Sequence, residues 1–182
     1  MVKNAQPALE QLKKTAIFYV FGHGGSAFQS CQTFWNNGQW GAIVQTTGAR
    51  DYVVGQGMPY ANVVVLDERD ASGQLIIASN AFRRVLLAVY LGCYTAELAG
   101  RGSPVQSTYN HGAKCVLGFR NVVYEASARS WASSFWDALR DGQTVSSAAI
   151  AACQGLPLND TMRERTLLGN GQTRVQPARY GQ

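Results

Sequence analysis

A thiol becomes a useful nucleophile when an imidazole beside it can promote the thiolate and shuttle its proton. The chain of 182 residues holds four cysteines and two histidines, and one of each stands in a matching place. Phe18-Tyr19-Val20-Phe21 runs into Gly22-His23-Gly24-Gly25, and a second apolar run, residues 85–91, breaks at Gly92-Cys93. Each functional side chain therefore follows the end of an apolar run by one glycine. If the two runs are neighbouring parallel strands, His23 and Cys93 project over the same sheet edge, where groups at the carboxyl ends of strands gather in α/β proteins. Gly24 lets the backbone come close to a carbonyl oxygen, so its amide and that of Cys93 form a candidate oxyanion hole.

Competing patterns fit less well. His23-Gly24-Gly25-Ser26 has the form of an oxyanion loop of lipase-like hydrolases, but a nucleophile elbow needs glycine two before and two after the nucleophile. Around Cys93 those positions are Leu91 and Thr95, and no Gly-x-Ser-x-Gly occurs elsewhere. No Gly-x-x-x-x-Gly-Lys is present, and no Gly-x-Gly-x-x-Gly follows a strand. His111 is the alternative base; it lies eighteen positions after Cys93 at an expected helix end, where its simplest role is to favour the helix dipole when protonated. Cys115 falls mid-strand and Cys153 on a small-residue helix face, so both read as core thiols. Cys31 falls in the loop after the histidine motif. A cysteine after a strand is often a small buried hydrophobe and a His-Gly is often a plain turn, so the weight rests on their joint occurrence at two like strand ends.

The elements that must position this pair are legible as apolar runs and their stops. Residues 8–14 read as a short helix feeding a strand over 16–21, whose nearly all-apolar character suits a strand covered on both faces. Residues 85–91 repeat that character. Between them, Asn36-Asn37-Gly38 and Gly55-Gln56-Gly57 punctuate a region of loops and small strands. Within it, residues 61–66 and 74–78 flank Asp67-Glu68-Arg69-Asp70-Ala71-Ser72-Gly73 and read as a β-hairpin. Residues 104–111 are expected to form a helix that stops at His111-Gly112, and 114–119 a third buried strand. Residues 126–140 carry Trp131, Phe135 and Leu139 four apart, an amphipathic helix ended by Asp141-Gly142. Thr144 then caps a last helix over 145–153. Strands followed by helices three times over give an α/β fold with a mostly parallel sheet.

Composition narrows the setting. The length suits a single domain over residues 1–182 with a substantial core. With 46% hydrophobic and 15% charged residues the chain is globular in composition. Sixteen Lys and Arg leave a formal charge of +5, yet they are scattered, and Lys13-Lys14 and Arg83-Arg84 are the only adjacent basic pairs. That distribution favours solubility over a nucleic-acid face. The cysteines show no Cys-x-x-Cys spacing and no clustered histidines, so neither a metal nor a cofactor is expected. Reduced thiols, no leader and no membrane span point by default to a cytoplasmic protein.

The ordered set of motifs resembles the caspase-like cysteine peptidases, the clan that includes caspases, gingipains, separases and CHAT domains. A strand ending in His-Gly, a strand ending in Cys, then Gly112-Ala113-Lys114-Cys115-Val116-Leu117-Gly118-Phe119 and the Trp131 to Trp136 helix segment recur in that order. The gingipain and CHAT branches are the most similar. Leu167-Leu168-Gly169-Asn170-Gly171 resembles the Gly-Asp-Pro segment that closes such domains. The resemblance spans roughly residues 16 to 175; its short motifs are individually weak and only their order is specific. It implies a three-layer fold with a mostly parallel central sheet between helices, plus the hairpin insertion, and cysteine endopeptidase activity on a peptide or protein substrate. On this reading Cys93 is the nucleophile of a thioacyl intermediate, His23 its general acid or general base, and the amides of Gly24 and Cys93 bind the oxyanion.

The family also places part of the first subsite after the strand ending near Phe119. There Arg120 would select an acidic side chain, whereas Glu125, or the acidic residues between Asp67 and Asp70, would select a basic one. Two departures stand out. Only fifteen residues precede Ala16, short of the one or two strand-helix units usual in the family, so the expectation is either an incomplete sheet or an edge supplied by a second copy, an associated chain or a processed segment. Leu91 stands where many relatives carry an acidic residue. Both departures keep open a second reading, a catalytically silent scaffolding or interaction module.

Overall fold

Leu87-Ala88-Val89-Tyr90-Leu91 and Cys115-Val116-Leu117-Gly118-Phe119 offer apolar side chains to both faces of a sheet, and strands of that kind must be covered twice. The computed structural model describes residues 5–25, 31–36, 39–46, 48, 50–51, 60–97 and 102–175. In it these two segments are the middle strands of a four-stranded sheet. The element order is α1 (Ala5–Lys14), β1 (Ile17–Phe21), β2 (Gly24–Gly25), β3 (Cys31–Asn36), β4 (Gln39–Val44), β5 (Tyr60–Val65), β6 (Leu87–Leu91), α2 (Pro104–Asn110), β7 (Cys115–Phe119), α3 (Glu125–Arg140), α4 (Val145–Ala151) and β8 (Arg165–Gly169). The main sheet runs β1-β6-β7-β8, with β1, β6 and β7 parallel and β8 antiparallel at its edge. A second sheet, β2-β3-β4-β5, is antiparallel except for its last pair.

The two-residue period sorts the core into two layers. Leu87, Val89 and Leu91 of β6 join Cys115, Leu117 and Phe119 of β7 against Trp131, Phe135, Ala148 and Ala149 of α3 and α4. Ala88, Tyr90 and Val116 face the other way, towards Leu9 and Leu12 of α1, Val105 of α2, and Ile43 and Val64 of the second sheet. The chain is thus a mixed α/β fold whose central, mostly parallel sheet is flanked by helices. Trp131 stacks on Phe135 with ring centroids 4.6 Å apart and meets Phe119 edge-on at 5.1 Å, so its loss would remove packing on two sides.

Local signals hold at the helix ends. Ser103 accepts from the Gln106 amide ahead of Pro104, and Thr144 accepts from the Ser147 amide. Gly118 is required by close approach: a Cβ there would come within 2.4 Å of Val105 Cγ2 and 2.9 Å of Thr95 Oγ1, so only glycine lets α2 and the turn after β6 seat on β7.

Two expectations are corrected. The strand ending at Phe21 is not covered on both faces. As an edge strand that, among the described residues of the main sheet, pairs with β6, β1 buries Phe18 and Val20 but exposes Ile17 (39%), Tyr19 (39%) and Phe21 (47%). Helix α3 reaches this outer row where Trp136 meets the Tyr19 ring edge-on at 5.4 Å. The expected hairpin between 61–66 and 74–78 is also smaller than its sequence suggests. β5 takes β4 as a parallel partner, and only the bridge between Arg69 and Leu75 remains of the antiparallel pair. The cause is local: the Asp70 carboxylate accepts from the Ser72 amide at 2.8 Å and the Gln74 amide at 3.0 Å, which closes the turn early. Beyond it Ile76 is exposed while Ile77 is buried in the core.

The loops-and-small-strands reading of the region before β6 holds for β2 to β5. Cys31 lies in β3 and not in a loop; its side chain, Asn37-Gly38 and Gly55-Gln56-Gly57 lie outside the described residues.

Candidate active site

Residue by residue, β1 and β6 are in register from Ile17 opposite Leu87 to Phe21 opposite Leu91, and the Gly22 amide continues the ladder to the Leu91 carbonyl at 3.2 Å. Both strands therefore stop at one level. His23 and Cys93 follow those stops and line a single cavity of about 270 Å³, together with Phe21, Gly22, Gly92, Val123, Glu125 and Ala128. The sequence pattern of two like strand ends is thereby converted into one concave site at the carboxyl edge of a parallel pair, the expected place for one in this architecture.

The cysteine is held by backbone. The Val123 amide donates to Cys93 Sγ at 3.2 Å, and the thiol in turn lies 3.6 Å from the Val123 carbonyl oxygen. The Val123 peptide thus orients the side chain through both its amide and its carbonyl. The turn that carries it is strained at the next residue: Tyr94 has φ of 58°, the one positive value among the described non-glycine residues. Two contacts keep it there. The Tyr94 amide reaches the Asn121 carbonyl at 3.1 Å, and buried Thr95 Oγ1 donates to the Tyr90 carbonyl at 2.8 Å while accepting from the Phe119 amide at 3.1 Å. Cys93 thus sits at the tip of a turn pinned to β6 and β7 on both sides.

The histidine is held by its own carbonyl. Thr33 of β3 donates to the His23 carbonyl twice, from its amide at 2.6 Å and from Oγ1 at 2.9 Å. The imidazole itself is exposed. Gly24 lies in β2 opposite Gln32 and is not among the cavity-lining residues.

The remaining candidates separate. Glu125 lines the cavity at the first turn of α3, where its carboxylate also pairs with Arg129 at 2.5 Å. Arg120 lies elsewhere, its Nε donating to Thr166 Oγ1 of β8 at 2.8 Å. Asp67 is turned to a different task. Its Oδ2 accepts from Ser107 Oγ at 2.6 Å and its Oδ1 lies 3.1 Å from His111 Nε2. His111, 1% exposed, caps α2 and sends Nδ1 to the Ala78 carbonyl at 2.9 Å. Both ring nitrogens thus face acceptors, an arrangement that only the doubly protonated imidazolium fills. Burial works against that charge, but the Asp67 carboxylate and the Ala78 carbonyl outweigh it and raise the His111 pKa. Burial likewise pushes the Asp67 carboxyl up, and the bonds from His111 and Ser107 more than reverse it. His111 ties α2 to the hairpin and does not line the cavity with Cys93.

The other described thiols are core residues. Burial pushes Cys115 up to about 11, and Cys153 packs beneath α4 with Arg165 Nη1 3.3 Å from its sulfur. What sequence reasoning missed is the backbone of Val123 and the hydroxyls of Thr33 and Thr95. Val123 and Thr33 act on residues ten or more positions away, and Thr95 ties its own turn to the Phe119 amide, so none is marked by a local motif.

No family model matches this chain, and no curated protein sequence matches it. Among the described residues no helix is long and apolar enough to cross a membrane.

Proposed function

We propose that the chain is a caspase-like cysteine endopeptidase. The observation that carries this reading is the shared cavity: an exposed imidazole and an accessible, backbone-oriented thiol lie at the carboxyl ends of adjacent parallel strands. In the proposed reaction the Cys93 thiol passes its proton to His23 as Sγ adds to the scissile carbonyl carbon. The backbone amide of Cys93, at the cavity, holds the oxyanion. The carbon–nitrogen bond breaks as His23 protonates the leaving amine, and the acyl group stays on sulfur as a thioester. Water, deprotonated by His23, then hydrolyses that thioester to a carboxylate and restores the thiol. The strained turn at Tyr94 supports the reading, since such strain clusters where a side chain must be presented.

A second reading, a catalytically silent scaffolding or interaction module, draws on a separate observation. The outer row Ile17, Tyr19 and Phe21 on edge strand β1 is apolar and exposed, a surface suited to an associated chain or a second copy.

A peptide-library cleavage profile of wild type against Cys93→Ala separates the two. The peptidase reading expects turnover by the wild type that falls by about 10³-fold or more in Cys93→Ala. Cleavage preserved in that variant contradicts it. Partner binding that survives Cys93→Ala, with no peptide cleaved by either protein, supports the scaffold instead.

A further inference from the structure

The only two adjacent basic pairs of the sequence, Lys13-Lys14 and Arg83-Arg84, are seventy residues apart, and the fold brings them to one place. Lys13 and Lys14 end α1 just before β1, and Arg83 and Arg84 stand just before β6. Because β1 and β6 are parallel and in register, both pairs fall at the amino end of the strands, opposite the His23 and Cys93 cavity. The two ends are about 16 Å apart, the span of five residues of strand. A separate cavity of about 260 Å³ opens there, lined by Lys13, Asn80, Ala81, Arg83 and Arg84.

We infer that this cavity is a binding site for a phosphoryl group. Lys13 is shared with Glu10, 2.9 Å from its Nζ, while neither Arg83 nor Arg84 has a carboxylate partner among the described residues. Three cations against the one carboxylate of Glu10 leave a surplus of two positive charges, which matches a phosphate dianion. Guanidinium forks suit tetrahedral oxyanions because each presents paired N–H donors in one plane. The Asn80 amide adds neutral donors at the same mouth.

The loop that carries these groups is prepared in advance. Its amide hydrogens turn inward, Ala81 to the Ala78 carbonyl at 2.9 Å and Arg83 to the Asn80 carbonyl at 3.2 Å. His111 grips it at two points, accepting from the Phe82 amide at 2.9 Å and bonding the Ala78 carbonyl through Nδ1 at 2.9 Å. His111 is therefore a positioning residue for the loop, which lowers the ordering cost of ligand binding.

Isothermal titration of the full chain with pyrophosphate, a phosphoserine peptide and the same peptide carrying glutamate tests the site. Saturable one-to-one binding of a phosphoryl ligand is expected. Arg83→Gln/Arg84→Gln should weaken it by about 10-fold or more, since two charge-assisted contacts are lost. Arg140→Gln/Arg174→Gln, which removes the same charge from another surface, should change it less than about threefold. Tighter binding of pyrophosphate identifies a small-molecule ligand, and tighter binding of the phosphoserine peptide identifies a modified protein segment. The inference is overturned if no phosphoryl ligand saturates, if both double variants lose affinity equally, or if the glutamate peptide binds as well as the phosphoserine peptide. Circular dichroism checks that the exposed substitutions leave the fold intact. None of these results depends on peptidase activity.

Discussion

The two histidines of the chain occupy opposite ends of the same parallel sheet region and live under opposite rules. His23 follows the carboxyl end of β1, exposed and beside Cys93 in a cavity. His111 precedes β7 at the amino end, buried, with both ring nitrogens bonded to acceptors. An imidazole that must exchange protons with a substrate needs access, whereas one that must hold a structure does not. The difference teaches that residue type alone does not separate the two histidines; burial and place relative to the Cys93 cavity do. His111 does stand at the end of α2, as its sequence position suggests, and it adds bonds to Asp67 and the Ala78 carbonyl there.

The sharpest way to break that contrast is to delete each ring in turn. His23→Ala should lower peptide turnover by about 10²- to 10⁴-fold, the usual scale for a positioned acid or base. His111→Ala, assayed where it remains folded, should leave turnover within a few-fold of wild type. The reverse result would move the catalytic assignment to the other end of the sheet.

The stability effects should run the other way, and they are smaller. His111→Ala should lower unfolding free energy by about 1–3 kcal/mol, because the Asp67 carboxylate and the Ala78 carbonyl lose their donor, while His23→Ala should cost little. Chemical denaturation of both variants measures this.

The pH dependence sharpens the same point. The His111 pKa is raised on folding, so its contribution is fully present below the ordinary imidazole value and is lost as pH rises through the raised one. The Asp67 pKa is lowered, so its contribution is present above the ordinary carboxylate value and is lost as pH falls through the lowered one. The advantage of wild type over His111→Ala should therefore be greatest between roughly pH 4 and 6.5 and shrink on either side. A pH-independent difference would mean that the ring acts by packing against Phe82, 5.5 Å away, and not by charge.

Much of the scaffold was legible because it rests on local pattern. Apolar runs gave β1, β6 and β7; the four-residue spacing of Trp131, Phe135 and Leu139 gave α3; and Thr144 and Gly112 marked helix ends that are observed. The matching strand ends of His23 and Cys93 were legible as apolar runs broken at glycine, while the register that brings both to one cavity was not. Features settled by tertiary partners were not. The exposure of Ile17, Tyr19 and Phe21 depends on how far α3 extends across the sheet, which composition does not encode. The pairing of β5 with β4 in place of residues 74–78 depends on a turn closed early by Asp70. Asp67 was weighed as a specificity residue because it is acidic and lies in a loop. Its capture by His111 and Ser107, more than forty positions away through the chain in the first case, leaves no trace in local spacing.

The central claim is that Cys93 is the reactive thiol of this chain and that His23, not His111, serves it. Peptide mapping by mass spectrometry after brief exposure to a thiol-reactive peptide probe tests this most directly in the wild type, His23→Ala and His111→Ala. The account predicts that the probe labels Cys93 and spares buried Cys115 and Cys153, and that labelling slows by about 10-fold or more in His23→Ala but not in His111→Ala. Equal labelling of Cys93 in all three proteins, or modification of Cys115 or Cys153 ahead of Cys93, would contradict it.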